Sequence, residues 1–360
     1  MAPVTNGRLL FNEVPTASDH FLRTSNPWLL GYPEPGKTTV YDPLQTIDLE
    51  NVPLNGGVLI KTLVLSIDPY LRGRMRDVKV TTYYNEFQLG KPIDNFGLGV
   101  ILRSEDPSFE QGDHVFSNEL PFQHYSIFKK QNLGTLRVFT NEEKLPWSAY
   151  VGVCGIPGKT AYMAWKEYAY AKKGEVAYVT AGSGAVGCLV IQLAKADGLK
   201  VIASAGTDKK VAYLRELGAD VAFNYKTVPV NKVLQNEGPI DIYWDNVGGE
   251  SFEAAIATAN RFARFIECGA ISGYNTQNPY HVKNLELIVR KELKISGFIV
   301  DSLYPKYEEQ FFKEFPKKVA SGEIKYNEDV TEGLENAGQA ILDVQIGRNN
   351  GKKVIRVASE

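Results

Sequence analysis

The chain is predicted to be an α/β protein of two domains, one a doubly wound parallel sheet, and three observations support this. Strand and helix patterns alternate from about residue 160 onward. A glycine turn, Gly182-x-Gly184-x-x-Gly187, lies between the apolar run 176–180 and the apolar stretch 185–196. The first 150 or so residues lack that alternation and instead carry short alternating runs such as 58–67 and 95–104, broken by Pro and Gly. Few stretches there are long enough for a helix, so a mostly antiparallel β domain is expected.

Within the alternating part, strand 176–180 is followed by helix 185–197 and strand 200–205. Helix 208–217 comes next, with Val211, Leu214 and Leu217 on one face and Gly218 as its stop signal. Strand 221–223 leads into a stretch read as a polar loop, then strand 240–246, helix 251–260, strand 263–269, helix 283–291 and strand 294–300. Regular recurrence of this kind is the mark of a doubly wound sheet. An amphipathic helix over 307–320 precedes Ser321 and Gly322, and 351–359 reads as a strand returning to the first domain. The expected boundaries are 1–150, completed by 329–360, for the β domain and 151–328 for the α/β domain.

The bulk numbers exclude several classes. At 360 residues the chain can bury two cores, and 44% hydrophobic with 23% charged residues is ordinary for a globular protein. A formal net charge of −2 gives no footing for nucleic acid or an anionic membrane as partner. The N-terminus lacks an apolar signal region, and no apolar stretch is long enough to cross a bilayer. Three scattered cysteines, Cys154, Cys188 and Cys268, argue against a disulfide framework and for a reducing compartment, so a cytoplasmic location is expected.

The glycine turn carries the first chemical inference. Its first glycine allows a tight turn, its second lets backbone amides approach a pyrophosphate, and its third lets the helix lie close on the sheet. The helix N-terminus then faces the anion, so a dinucleotide is expected here. An NAD site places an acid about 20 residues further on, at the end of the next strand, to hold the ribose 2′-hydroxyl. Here that place holds Ile202, Ala203, Ser204 and Ala205, followed by Lys209 and Lys210. Either lysine alone reads as a solvated first-turn residue. With the acid missing and two cations present, a 2′-phosphate and hence NADP is favoured.

No metal site is visible. The four histidines, His20, His114, His124 and His281, show no i, i+4 spacing, and there is no Cys-x-x-Cys pair. Reduction of a carbonyl to an alkoxide calls for strong polarisation of the oxygen. Hydride addition to the β-carbon of an enone leaves a delocalised enolate and asks for less, so metal-free reduction of an activated alkene is the more plausible chemistry.

The segments 65–75, 91–100, 157–165, 181–187, 218–227, 245–250 and 268–275 together resemble the zinc-independent branch of the medium-chain dehydrogenase/reductases. Within it the chain is similar to the prostaglandin or leukotriene B4 reductases and the plant-type alkenal double-bond reductases. It differs in having Gly182-Ser183-Gly184 where the family often has Ala-Ala-Gly. The resemblance implies a GroES-like catalytic domain beside a Rossmann domain, a homodimer, and NADPH-dependent reduction of the α,β double bond of enals and enones. It implies a cofactor site of Gly182, Ser183, Gly184, Ala185, Val186 and Gly187 at the pyrophosphate, with Ser204, Lys210 and Tyr225 towards the 2′-phosphate. Asn246, the run Cys268, Gly269, Ala270, Ile271, Ser272 and Tyr274, then Phe298, Ile299 and Val300, would line the nicotinamide half, and Asn349 would reach in from the tail.

Tyr274 is the first candidate to donate to the enolate oxygen, since a phenol of ordinary pKa near 10 is protonated at neutral pH. Tyr70 is the second, expected to project from the other domain across the cleft. Both stand against the bland reading that most of the 19 tyrosines are packing residues with a wet tip. Tyr83 and Tyr84 are expected in a loop 77–90 walling the substrate pocket. Arg72, Arg74 and Arg76 recur at period two, would share one strand face if extended, and read as a solvated edge in preference to a cationic site for a substrate tail, and His114 reads as a turn cap. Rival functions are a quinone or 15-oxoprostaglandin-type reductase on the same fold and a non-catalytic NADPH-binding protein of structural or sensing role.

Overall fold

The computed structural model describes residues 2–16, 31–77, 82–276 and 278–360. His20 and part of the 77–90 loop lie outside the described residues. The chain forms two compact units: residues 1–152, 328–349 and 353–360 in one, and 153–327 with 350–352 in the other.

The second unit holds a six-stranded sheet. Its strands are β1 (Val176–Val179), β2 (Lys200–Ala205), β3 (Val221–Asn224), β4 (Ile240–Asp245), β5 (Ala259–Glu267) and β6 (Lys294–Gly297). They run in the order β3-β2-β1-β4-β5-β6, and every neighbouring pair is parallel. That is the order of a dinucleotide-binding doubly wound sheet, in which ligands bind at the carboxyl ends where the strand order reverses. The reversal falls between β1 and β4. Helices α1 (Ile156–Ala164), α2 (Gly187–Ala196), α3 (Asp208–Glu216), α4 (Val230–Glu237), α5 (Gly249–Thr258), α6 (Glu286–Arg290) and α7 (Tyr304–Ala320) accompany it.

One face of this sheet packs Tyr178, Ile202, Tyr243 and Phe265 against Val230, Leu234, Ala254 and Ala255. Tyr178 and Tyr243 stack with ring centroids 5.3 Å apart, and Phe265 meets Tyr243 edge-on at 5.2 Å. Burying Phe265 contributes roughly 1.5–3 kcal/mol relative to leaving it exposed. Helix α4 replaces part of the polar loop read before β4: its buried Val230 and Leu234, four apart, dock one face, a spacing too sparse to stand out among polar neighbours. Helix α6 is shorter than expected, five residues, and β6 ends at Gly297 rather than at residue 300, where a 3-10 turn Val300–Leu303 begins. Helix α5 starts two residues earlier than read, because Gly248 and Gly249 take φ of 72° and 59° and turn the chain directly into it.

The first unit is mostly β. A seven-stranded sheet has Glu328–Glu332, Lys352–Arg356, Val58–Ser66, Asp94–Ser104, His114–Pro121 and Leu136–Val138 in that order, with Tyr125–Phe128 paired to Val58–Ser66. Its long strands pair antiparallel. The tail does not belong wholly to this unit, since residues 350–352 group with the other.

Two expectations about this unit are corrected. Arg72, Arg74 and Arg76 are not on a strand and not solvated. The chain turns through a short helix, Leu71–Arg74, and all three side chains are buried. Arg72 donates to the Gly31 and Met75 carbonyls, Arg74 to the Asn85 and Asp94 carbonyls and the Asp94 carboxylate, and Arg76 to those of Gly73 and Tyr84. Desolvation pushes Arg72 down to about 10. His114 opens a strand rather than capping a turn. Its ring stacks on Trp147 at 4.1 Å and its Nε2 pairs with Glu360 at 2.8 Å.

Candidate functional site

At the carboxyl end of β1 the backbone makes the turn that the glycine pattern implies, but with different reasons at each position. The left-handed residue is Ala181, at φ 47°, not a glycine. The Gly184 amide closes the turn on the Ala181 carbonyl at 2.9 Å, and the Gly182 amide reaches the Ser204 carbonyl at 2.9 Å. A side chain on Gly182 would begin 3.0–3.2 Å from Leu214, Ile191 and Ala203. One on Gly187 would begin 2.5 Å from the Ala181 carbonyl oxygen and 2.8 Å from the Gly182 Cα. Gly187 is therefore required for close packing of helix and strand, as expected. Ser183 is buried, while Ala185 and Val186 lead into α2, whose first amides lack partners within the helix by its geometry.

The C-terminal tail meets this turn. Gly184 forms a parallel backbone bridge with Gly351, and the Lys352 amide donates to the Asn327 carbonyl at 2.8 Å. Gly351 is at φ 83°, and a Cβ there would stand 2.2 Å from the Asn327 carbonyl oxygen. Asn349, half-buried, immediately precedes this stretch in the chain.

After β2 the chain passes through Gly206 to Thr207, which caps α3 by accepting the Lys210 amide at 3.3 Å. Lys210 is thus fixed in the first turn of α3. Tyr225 is half-exposed, and its hydroxyl lies 3.1 Å from where a Gly206 side chain would begin. The Ser204 hydroxyl is buried, 3.3 Å from that of Tyr178, while its backbone carbonyl accepts the Gly182 amide.

Two loops flank the turn. The first, residues 246–249, hangs on Asp245 and Thr180. The Asp245 Oδ1 accepts the Val247 and Gly248 amides, both at 2.8 Å, and the Thr180 hydroxyl at 3.1 Å. The Asn246 side chain donates to the Thr180 carbonyl at 2.7 Å and accepts from the Trp244 indole at 3.2 Å. The second loop, Cys268–Tyr274, hangs on the first. The Cys268 and Gly269 amides donate to the Asp245 carbonyl at 3.0 and 3.1 Å, the Ile271 amide to Asn246 at 3.3 Å, and the Ser272 amide and hydroxyl to Val247 at 3.2 and 2.6 Å. Ala270 is exposed, and its Cβ lies 3.0 Å from the place a Gly248 side chain would take. Tyr274 is half-buried, with its hydroxyl 3.1 Å from where a Gly269 side chain would begin. Phe298 packs on Trp244 and Tyr168 with centroids 6.1 and 5.8 Å apart, with Ile299 and Val300 following it into the 3-10 turn. The structure thus brings the glycine turn, Asn246 and Cys268–Tyr274 to one sheet end.

In the first unit, Tyr70, Tyr83 and Tyr84 do cluster, with Tyr70–Tyr84 centroids 5.5 Å apart and Tyr83–Tyr84 4.1 Å. The Tyr84 hydroxyl occupies the space that a Gly73 side chain would need. Tyr70 differs from the expected free donor. Its hydroxyl donates to Asn95 Oδ1 at 2.5 Å, and Asn95 in turn donates to Asp68 at 2.9 Å and the Ser66 carbonyl at 2.8 Å. Burial drives its pKa far above the ordinary phenol range.

Sequence reasoning missed Thr180, Asp245 and Asn95. A hydroxyl and a carboxylate at the ends of adjacent parallel strands were the only hint for the first pair. Cys154 and Cys188 are buried, and burial pushes the Cys188 thiol up to about 12. Among the described residues no group of three or more His, Cys, Asp or Glu side chains is placed to hold a metal ion, and no helix is long and apolar enough to cross a membrane.

Residues 185–316 match a family model described as zinc-binding dehydrogenase, and residues 41–136 one described as the N-terminal domain of oxidoreductase. A zinc-type alcohol dehydrogenase-like protein of Schizosaccharomyces pombe is 42% identical over 92% of this chain and 95% of its own. A 2-alkenal reductase (NADP(+)-dependent) of Nicotiana tabacum is 38% identical over 92% of this chain and 96% of its own. The crystal structure of CurA from Vibrio vulnificus in complex with NADPH matches with a TM-score of 0.84 at 28% identity, covering 98% of this chain and all of that one.

Proposed function

Because this chain belongs to the zinc-independent medium-chain dehydrogenase/reductases, in their alkenal double-bond reductase group, we propose that it reduces the α,β double bond of unsaturated aldehydes and ketones. It is an NADPH-dependent oxidoreductase acting on carbon–carbon double bonds. The observation that carries the finer reading is the Cys268–Tyr274 loop, tied through Asp245 and Asn246 to the glycine turn so that a phenol stands at the sheet's carboxyl end.

NADPH, when bound, supplies a hydride. The chain's own part is to hold that cofactor and manage the charge that develops on the substrate oxygen. In this reading Gly184, Ala185, Val186 and Gly187 present backbone amides to the pyrophosphate, and Lys210 meets the 2′-phosphate beside Tyr225. Ser183 and Gly182 shape the turn, and Asn349 approaches from the tail. Asn246 works through the backbone it braces, since both ends of its amide are already engaged. The nicotinamide half is walled by Cys268, Gly269, Ala270, Ile271, Ser272, Phe298, Ile299 and Val300. Tyr274 donates its hydroxyl proton to the oxygen that becomes an enolate, a preorganised donor of the kind that stabilises developing charge. Tyr70 is the weaker donor candidate because its proton already serves Asn95. With Tyr83 and Tyr84 it gives an apolar aromatic surface suited to a substrate's carbon chain.

The reading extends to a cytoplasmic homodimer. Three free cysteines suit a reducing compartment. Strand β6 is an edge of its sheet, and Ile295 upon it and Val289 beside it are exposed, which suits association with a second copy. The test is turnover with NADPH on hexenal, a cyclic enone, a quinone and a saturated aldehyde, followed by NADPH absorbance. Consumption with the enal and enone and none with the saturated aldehyde is expected. Turnover of the quinone alone would move the chain to the quinone reductases, and none at all would make it a binding protein.

A further inference from the structure

Asp245 and Glu267 end adjacent parallel strands in direct register, so their side chains leave the same face of the sheet about 4.8 Å apart at the backbone. Asp245 is fully buried. Among the described residues its Oδ2 and the Glu267 Oε1 are both shut off from solvent and without a partner at hydrogen-bond geometry. So is the hydroxyl of Tyr243, an O–H donor that acts on the Asp245 carboxylate; it can serve one carboxylate oxygen and leaves the Glu267 Oε1 unmet. Buried polar atoms are almost always satisfied, and two adjacent carboxylates without a cation repel. One proton resolves both problems. A neutral carboxyl on one residue donates to the carboxylate of the other, and two orphan atoms become a hydrogen-bonded pair.

The geometry also says which residue holds the proton. Asp245 Oδ1 already accepts from Thr180, Val247 and Gly248, which favours its charged form. We propose that Glu267 is a protonated carboxylic acid donating to Asp245 Oδ2, and that it is a positioning residue for the two loops proposed to hold NADPH. Asp245 suspends both loops, residues 246–249 through its carboxylate and Cys268–Tyr274 through its carbonyl, so fixing its side chain fixes them together. This inference rests on the cofactor reading given above.

The electrostatics agree. Burial first, then the Asp245 charge, pushes the Glu267 carboxyl far above the carboxylate range, and burial raises Asp245 against the pull of the Gly248 and Val247 amides. The titratable neighbours that share these interactions are all acids: Tyr243, two residues before Asp245 on the same strand, Tyr178 on β1, and Cys268, whose thiol burial raises to about 12. The sign follows from linkage. The folded state keeps a proton that an unfolded Glu267 would lose, so stability falls as pH rises from the ordinary carboxylate range through the elevated folded value.

Infrared spectra of the full-length protein near neutral pH should show the C=O stretch of a protonated carboxylic acid, absent from Glu267→Gln. The glutamine keeps a donor towards Asp245 but has no proton to lose. Its NADPH affinity should therefore match that of the wild type at neutral pH and stay flat where the wild type weakens at alkaline pH. Glu267→Ala, which leaves Asp245 Oδ2 bare, should bind NADPH roughly tenfold more weakly at neutral pH, the cost of one buried unmet acceptor. Absence of the acid band, an alkaline loss in Glu267→Gln equal to that of the wild type, or full affinity in Glu267→Ala would each overturn the proposal. If Glu267→Ala does not fold, the infrared band and the glutamine pH profile still decide it. Failure of the reductase reading would show separately, as no NADPH consumption with the enal or the enone by a wild type whose acid band is intact.

Discussion

The glycine turn of the second unit and the tyrosine–arginine segment 70–76 of the first are both short and both carry candidate functional groups, yet they are held by opposite means. Residues 181–187 are fixed by backbone: amides on carbonyls, and a helix approaching so closely that no Cβ fits at Gly187. Residues 70–76 are fixed by side chains: three buried guanidiniums on carbonyls, and a phenol on an amide held by a carboxylate. Backbone-held geometry leaves glycines in the sequence and so announces itself. Side-chain geometry is written in residues that look, one at a time, like ordinary surface groups.

The largest effect expected from breaking this contrast is at Tyr274. Its change to Phe should lower kcat within the ~10²–10⁴-fold range of lost general-acid help while NADPH affinity stays level. Steady-state kinetics on an enal alongside fluorescence titration of NADPH would check it, and unchanged turnover would remove Tyr274 from the mechanism.

Next comes Lys210→Ala, which should raise KM for NADPH by roughly 10–100-fold, the worth of a charged hydrogen bond, and barely alter that for NADH. Equal shifts for the two cofactors would show that the lysine does not meet the 2′-phosphate. Gly187→Ala, probing the backbone-held region directly, should cost about 1–3 kcal/mol as helix and strand are forced apart. Denaturant titration and NADPH affinity should fall together. If stability drops alone, the turn is not the cofactor's seat.

The mildest change probes the side-chain-held region. Tyr70→Phe strands Asn95 Oδ1 and should cost about 1–2 kcal/mol in stability, with kcat altered far less than by Tyr274→Phe. A kcat loss equal to that of Tyr274→Phe would put Tyr70 in the proton path and erase the distinction drawn between the two phenols.

The sheet and its strand order were legible because buried parallel strands read as apolar runs separated by helices with clear stops, as at Gly218. The motif residues of the candidate site were legible through a resemblance whose segments span most of the chain. Helix α4 was not, because two buried residues in eight leave almost no periodic trace. The burial of Arg72, Arg74 and Arg76 was not, because beside the local carbonyls of Gly73 and Met75 the groups that receive them come from residues 31, 84, 85 and 94, some far along the chain. The burial of the Ser204 hydroxyl was not legible for a related reason: alternation along β2 decides which way it points, and the residue type does not. Asp245 and Glu267 sit 22 positions apart, and only parallel register makes them neighbours.

The bridge between Gly184 and Gly351 has a consequence for how the molecule is made. During vectorial synthesis the glycine turn emerges long before residue 351 does, so a nascent chain lacks that strap until synthesis is almost over. A chain truncated before residue 350 would retain every residue of the turn and lack this bridge.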